Sequence, residues 1–104
     1  MYIRTKNMIY EVECETFDKK GYYIGDYGVI FKEQVIKQAD TIEELCNRFV
    51  VMDKETKEVM NIVTFFAYAK LWSSCKYDIY GAIWCEWGLK YVAKMNDKGN
   101  LVLI

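Results

Sequence analysis

The sequence predicts an α+β domain in which a meander-like antiparallel β-sheet carries two packed helices. Short apolar runs separated by glycine-containing or charged turns recur along the chain, as in sheet proteins. Two segments, beginning near residues 40 and 61, instead place apolar residues at helical spacing. The chain has 104 residues and 53% hydrophobic residues, which is enough for one core, and we expect a single domain over residues 1–104.

The N-terminal third predicts short strands. The run YIRT-KN-MIYEVEC indicates a hairpin around a tight turn at Lys6–Asn7, and TFDKKG indicates a second turn. GYYIGDYG, VIF and QVIKQA follow as strands, with a break at Lys32–Glu33. The glycines of GYYIGDYG precede a strand rather than a helix, so they predict a β-turn or bulge and not a phosphate-binding loop.

The first predicted helix begins at Asp40, whose side chain can cap it together with Glu43 three residues on. Thr41 and Glu44 offer the same capping box one residue later. The expected buried face consists of Ile42, Leu45, Cys46 and Phe49. FVVMD then predicts a strand and KETK a turn.

The second predicted helix covers residues 61–75, NIVTFFAYAKLWSSC, although its valine and aromatic content would also suit a strand beginning near Val59. Helix is favoured because a strand of about 15 residues would be unusually long. The expected inner stripe consists of Ile62, Phe65, Phe66, Ala69, Trp72 and, at its end, Cys75.

Three strands close the chain, IYGAIW, LKYVAKM and LVLI, joined by turns at CEWG and NDKG. In LKYVAKM the apolar residues alternate with lysines, which is typical of a strand with one solvent-exposed face. This alternation predicts that Tyr91 and Met95 belong to the core.

The hairpin around CEWG supplies the candidate partner-binding residues. Trp84 and Trp87 flank a turn, where burial is hard to complete, and an exposed tryptophan is a typical anchor for a protein partner. Lys90 and Lys94 lie on the next strand and complete the candidate site. A nucleic-acid platform would need stacking rings in a positive groove, but Glu86 and Asp97 interrupt the lysines near the rings and the net charge is −1.

The sequence predicts no cofactor. A structural zinc site built from Cys14, Cys46, Cys75 and Cys85 is the alternative, with Cys75 and Cys85 as the best starting pair. Zinc sites typically use closely spaced pairs, whereas these cysteines are at least ten residues apart. Small buried hydrophobic residues are the simpler interpretation, so no metal ligand is assigned.

The sequence also predicts that the protein is not an enzyme. It contains no histidine, so its two serines, Ser73 and Ser74, have no imidazole to activate them. Glu11, Glu13 and Glu15 are better explained as a solvated strand edge than as an acid–base pair. We expect a cytoplasmic protein, because the N-terminus lacks a signal-peptide core and no apolar run could cross a membrane.

Three blocks of the chain resemble a group of small proteins from bacteriophages and prophages of Firmicutes. The blocks are MYIRTKNMIYEV, VIKQADTIEELCNRFVV and YGAIWCEWGLKYVAKMNDKGNLVLI, and they cover about half the chain. The resemblance implies a phage origin and places the protein in the cytoplasm of an infected bacterial host, but it implies no activity.

Small phage proteins without a catalytic motif often bind host proteins, and the anti-CRISPR inhibitors are one such class. By analogy of size and context, we expect an accessory protein that blocks a host defence protein by contact, with a CRISPR effector nuclease as the favoured partner. A nucleic-acid-binding phage regulator and a structural or assembly protein are the alternatives. Homodimerisation stays open, because LVLI is an uncharged terminal strand whose bare edge could pair.

Overall fold

The protein is described by a computed structural model that covers residues 1–25, 28–73 and 75–104. Over these residues it is mostly β-structure, with one α-helix, α1 (Phe66–Leu71), and one 3₁₀ turn, Lys32–Gln34. The predicted α+β class with two packed helices is therefore wrong, and the chain is β-rich. The strands are β1 (Tyr2–Arg4), β2 (Ile9–Glu11), β3 (Cys14–Glu15), β4 (Gly21–Tyr23), β5 (Val29–Phe31), β6 (Lys37–Ala39), β7 (Arg48–Asp53), β8 (Val59–Val63), β9 (Tyr77–Cys85), β10 (Gly88–Met95) and β11 (Leu101–Leu103).

A five-stranded antiparallel sheet, in the order β11-β10-β9-β7-β8, forms the main body of the molecule. The strands predicted from FVVMD, IYGAIW, LKYVAKM and LVLI are confirmed as β7, β9, β10 and β11. Gly88 and Gly99 have φ angles of 110° and 80°, which confirms the two predicted glycine turns. One expectation fails in part: a bulge between Tyr91 and Ala93 shifts the register, so Tyr91 does not join the core, whereas Met95 is half-buried and packs against the core as predicted.

Two small sheets hold the N-terminal third, in the orders β2-β1-β6 and β3-β4-β5. The hairpin predicted around Lys6–Asn7 is confirmed: the Thr5 amide donates to the Met8 carbonyl across the turn, at 2.9 Å. The predicted break at Lys32–Glu33 is the 3₁₀ turn. Residues 26 and 27 of the predicted GYYIGDYG run lie outside the described residues.

The helix predicted from Asp40 is wrong. The segment makes a single turn, in which the Ile42 carbonyl accepts bonds from the amides of Leu45 and Cys46. The Asn47 amide then donates to the Ala82 carbonyl, and β7 begins at the next residue. A longer helix would remove β7 from its two neighbouring strands. The predicted apolar face is nevertheless buried, because one helical turn and the strand that follows point the same residues inward.

The helix predicted over residues 61–75 is wrong for most of its length. Val59–Val63 is β8, which pairs with β7, so the strand alternative describes this part correctly. α1 has only six residues, and Phe65 provides no side-chain cap at its start. Residue 74, in the predicted C-terminal part, lies outside the described residues. No helix in the described part of the chain is both long and apolar enough to cross a bilayer.

The core lies against one side of the five-stranded sheet, which we call the covered face. β2, the turn around Ile42 and helix α1 pack on it, the last through the ring of Phe66, 5.4 Å from that of Phe49. The core cluster consists of Ile9, Ile42, Leu45, Cys46, Phe49, Val51, Ala69, Ile79, Ile83, Val92, Ala93 and Leu101.

The small sheet β2-β1-β6 is covered on both sides. Ile9 belongs to the core cluster, whereas Ile3 lies on the other face by strand alternation and is also fully buried. Gln38 pairs with Ile3 and so shares its face, and its side-chain oxygen accepts a hydrogen bond from the Tyr22 hydroxyl, at 3.2 Å. The third sheet therefore reaches the side of the second sheet that faces away from the core.

Candidate protein-binding surfaces

The second face of the five-stranded sheet, which we call the open face, has an unusual composition. Cross-strand partners share a face, so the pairing register identifies its side chains. Three of them are charged, Arg48, Asp78 and Lys94, and the others are apolar or aromatic. A sheet face that meets water normally carries polar residues at these positions. The open face consists of Arg48, Val50, Met52, Val59, Ile62, Asp78, Tyr80, Ala82, Trp84, Leu89, Tyr91, Lys94 and Val102.

The side chains of the open face differ in how deeply they are buried. Val50 and Ala82 are fully buried at its centre, although they lie outside the core cluster. Around them Trp84, Ile62 and Val102 are each 49% exposed. The larger side chains thus shield the central ones but keep about half of their own surface in water. Such a contiguous apolar area on a folded monomer is typical of an interaction site.

Trp84 is held in place by the chain that enters β7. The side-chain oxygen of Asn47 accepts the Trp84 backbone amide at 3.2 Å, and the Asn47 amide donates to the Ala82 carbonyl. This pair of hydrogen bonds fixes the end of β9 two residues before the turn. The indole therefore projects from a positioned backbone, as a rigid anchor for a partner requires.

Lys94 lies at the other end of the same face, beside a pair of stacked rings. The rings of Tyr80 and Tyr91 are 5.2 Å apart at an interplanar angle of 22°, and the Lys94 ammonium lies 5.7 Å from the Tyr80 centroid. The Asp78 carboxylate lies 3.8 Å from Lys94 and 3.9 Å from Lys54. One carboxylate between two ammonium groups leaves a positive charge at this end of the open face.

The four predicted site residues separate into two pairs. Trp84 and Lys94 share the open face, whereas Trp87 and Lys90 line a recess along the part of the β10 edge that β11 does not pair. Asn7 and the open-face residues Leu89 and Tyr91 also line this recess. Lys90 pairs with Ile83 and so belongs to the covered-face side. Trp87, in the turn itself, is 90% exposed. The structure thus places the predicted residues around one hairpin but not on one surface.

Sequence reasoning missed a second exposed apolar area, which we call the helix patch: Phe65, Tyr68, Leu71 and Trp72. These side chains are 64%, 59%, 82% and 42% exposed. Of the expected inner stripe, Phe66 and Ala69 pack against the core as predicted, whereas Phe65 and Trp72 are partly exposed. The available signal was the double aromatic Phe65–Phe66, since neighbouring helix residues point about 100° apart, which favours only one of two large rings facing the core directly.

The cysteines of the proposed zinc alternative are separated in space. Cys75 precedes β9 and Cys85 ends it, so a strand of nine residues, roughly 30 Å at about 3.3 Å per residue, lies between them. All four cysteines are free thiols. Across residues 1–25, 28–73 and 75–104 there is no group of three or more cysteine, aspartate or glutamate side chains placed to hold a metal ion.

Cys46 contacts the centre of the covered face. Burial raises the pKa of its thiol to about 12, and the nearby Glu43 carboxylate adds to this shift. A Cβ built on Gly81, in the middle strand β9, would lie 2.7 Å from the Cys46 sulfur. Gly81 therefore allows the turn that carries Cys46 to approach the sheet, a role that the sequence pattern of β9 does not reveal.

A groove of about 1,100 Å³ lies at the end of the five-stranded sheet, next to the segment that follows α1. Four lysines and two aspartates are among its lining residues, which gives it a positive balance. Lys94 belongs both to this groove and to the open face. The charged lining residues are Lys54, Lys57, Asp78, Lys94, Asp97 and Lys98.

Comparison with known proteins identifies no relative: no family model matches the chain, and no curated protein or solved structure is significantly similar to it. The resemblance to phage and prophage proteins therefore stays a prediction.

Proposed function

We propose that this protein binds another protein through the open face, and that in an infected bacterium it inhibits a host defence system by this contact. The observation that supports binding is the apolar and aromatic composition of the open face, on which Trp84, Ile62 and Val102 are each about half-exposed. Trp84 is the proposed anchor, because it is large, half-exposed and held by Asn47. Lys94 is the proposed orienting charge at the far end of the face.

The proposed partner is a CRISPR effector nuclease. The support for this choice is the resemblance of the chain to phage proteins and its small size, together with a surface suited to contact rather than to chemistry. The net charge of −1 is far from the dense negative charge of a DNA mimic, so the proposed inhibition works by covering a protein surface.

The test adds the purified protein to digests by a panel of CRISPR nucleases and measures cleavage and direct binding. The wild type should inhibit at least one effector, and Trp84→Ala should weaken binding by about tenfold or more, as expected for an interface anchor. Phe17→Ala is the matched control, because Phe17 is a fully exposed aromatic residue in the turn before β4.

Two results would contradict the proposal in different ways. If no effector is inhibited but a different defence protein binds with the same Trp84 dependence, the surface is right and the nuclease is wrong. If Trp84→Ala and Phe17→Ala bind alike, the open face is not the contact surface.

A second candidate function, a small nucleic-acid-binding regulator, has support from the lysine-lined groove. Phosphate contacts weaken steeply with salt, so binding to DNA or RNA that falls by orders of magnitude between about 50 and 200 mM salt would favour it. The variant Lys98→Glu, in the groove but not on the open face, should then weaken binding, whereas Trp84→Ala should not.

A further inference from the structure

The helix patch surrounds the outer side of α1. Phe66 and Ala69 face the core, and Tyr68 and Leu71, one turn apart, lie on the opposite side. Phe65 and Trp72 flank them at the two ends of the helix, and the rings of Phe65 and Tyr68 are 5.9 Å apart. α1 is therefore apolar on both sides, a composition that is normally found in a helix with packing partners on both sides.

The exposed area of the helix patch is large enough for a specific interface. An aromatic side chain offers roughly 150–250 Å² and a leucine somewhat less, so four side chains that are about half exposed or more present roughly 500 Å². Two such patches face to face would bury about 1,000 Å², which reaches the lower limit for a biological interface before any neighbouring residue is counted.

The charge distribution favours a second copy of the same chain as the partner that covers the helix patch. Residues that lie near a two-fold axis come close to their own counterparts, so a charge near the axis would repel its symmetry copy. In the sequence from Val59 to Trp72 the one charged residue is Lys70. Its ammonium lies over the Phe66 ring at 5.8 Å and beside Gly99, away from Tyr68 and Leu71. The open face, by contrast, carries Arg48, Asp78 and Lys94.

We propose that the helix patch is a homodimer interface, in which α1 of one copy packs against α1 of the other about a two-fold axis. This inference is independent of the proposed function, because it concerns a different surface. It also differs from pairing through the edge of β11, since Leu101–Leu103 contributes no residue to the helix patch.

Sedimentation equilibrium over about 1–100 µM protein tests the proposal, because this range covers dissociation constants typical of weak to moderate dimers. The wild type should approach twice the chain mass of 12.3 kDa. Leu71→Lys should raise the dissociation constant about tenfold or more, because it places two ammonium groups across the axis. Val102→Lys is the matched control: the same new charge at an exposed apolar residue of the open face should leave the dimer unchanged.

Tyr68→Lys provides a second variant of the helix patch, and circular dichroism confirms that each variant folds. A wild type that stays monomeric at every concentration would overturn the proposal. The proposal would also be overturned if Val102→Lys dissociates the dimer while Leu71→Lys and Tyr68→Lys leave it intact. Loss of a different protein partner on mutating Leu71, with a monomeric wild type, would assign the patch to that partner instead.

Discussion

The two faces of the five-stranded sheet are built from the same strands but differ in how far their side chains are buried. On the covered face Phe49, Ile79 and Ile83 meet the turn around Ile42 and the helix, and almost none of their surface reaches water. On the open face large side chains such as Trp84 and Ile62 shield Val50 and Ala82 but stay half-exposed themselves. The comparison teaches that a fully buried residue does not by itself mark the core side of a sheet. The exposure of the neighbouring side chains distinguishes the two faces.

The largest effect on stability is expected from adding a side chain to the closely packed covered face. Gly81→Ala places a methyl group against the Cys46 sulfur, with Leu101 and Ala93 also close, at 3.3 and 3.4 Å. We expect it to lower the free energy of unfolding by about 1–3 kcal/mol, the usual range for overpacking. Urea denaturation of the purified variant measures this change.

A double-mutant cycle tests whether contact with the Cys46 sulfur causes the destabilisation by Gly81→Ala. Cys46→Ala removes the sulfur, so Gly81→Ala should cost at least about 1 kcal/mol less in the Cys46→Ala background than in the wild type. Strictly additive free energies would mean that the Cys46 sulfur is not what the new methyl group meets.

A smaller effect, visible at alkaline pH, should come from the Cys46 thiol. Its pKa is raised from 9.0 to about 12 in the folded protein, so the fold favours the neutral thiol. The stabilisation is complete below pH 9 and is lost as the pH rises from 9 towards 12. By linkage, the loss attributable to this group at pH 10 is about 1.4 kcal/mol.

Urea midpoints of the wild type and Cys46→Ala at pH 8 and pH 10 check the pH effect. Tyrosine and lysine titrations are common to both proteins, so the difference between them isolates the thiol. Equal pH dependence in the two proteins would show that Cys46 does not titrate as a buried group.

Exposed Cys14 and Cys75 should react with a thiol reagent in the folded state, whereas Cys46 should react only on unfolding.

The sequence predicted the strands well where alternation and a glycine turn agreed, as in β9, β10 and the turn at Gly88. It failed where an apolar spacing suited two structures. Ile42, Leu45, Cys46 and Phe49 are buried as expected, but a single turn followed by β7 buries them as well as a helix would. The choice depends on the pairing of β7 with β8 and β9, a long-range contact that local spacing does not contain.

The candidate site was predictable only in part. An exposed tryptophan at a hairpin turn was recognisable from the sequence, and Trp87 and Trp84 are exposed. Which of the four residues share a surface depends on the register, and the bulge after Tyr91 changes that register beyond what alternation can show. The helix patch was missed because the segment from residue 61 divides into a strand and a short helix, which leaves Phe65 and Trp72 partly exposed.

The most direct test of the open face introduces single charges across the molecule. The affinity of each variant is then measured for the partner that the cleavage and binding assays identify. Glutamate is introduced at Ile62, Trp84 and Val102, which lie on three strands of the open face, and at Phe17 and Leu71, which lie elsewhere. The open-face variants should each lose about tenfold or more in affinity, while the Phe17 and Leu71 variants stay within about twofold. Affinity that survives all three open-face substitutions in folded protein would contradict the assignment of this face as the docking surface.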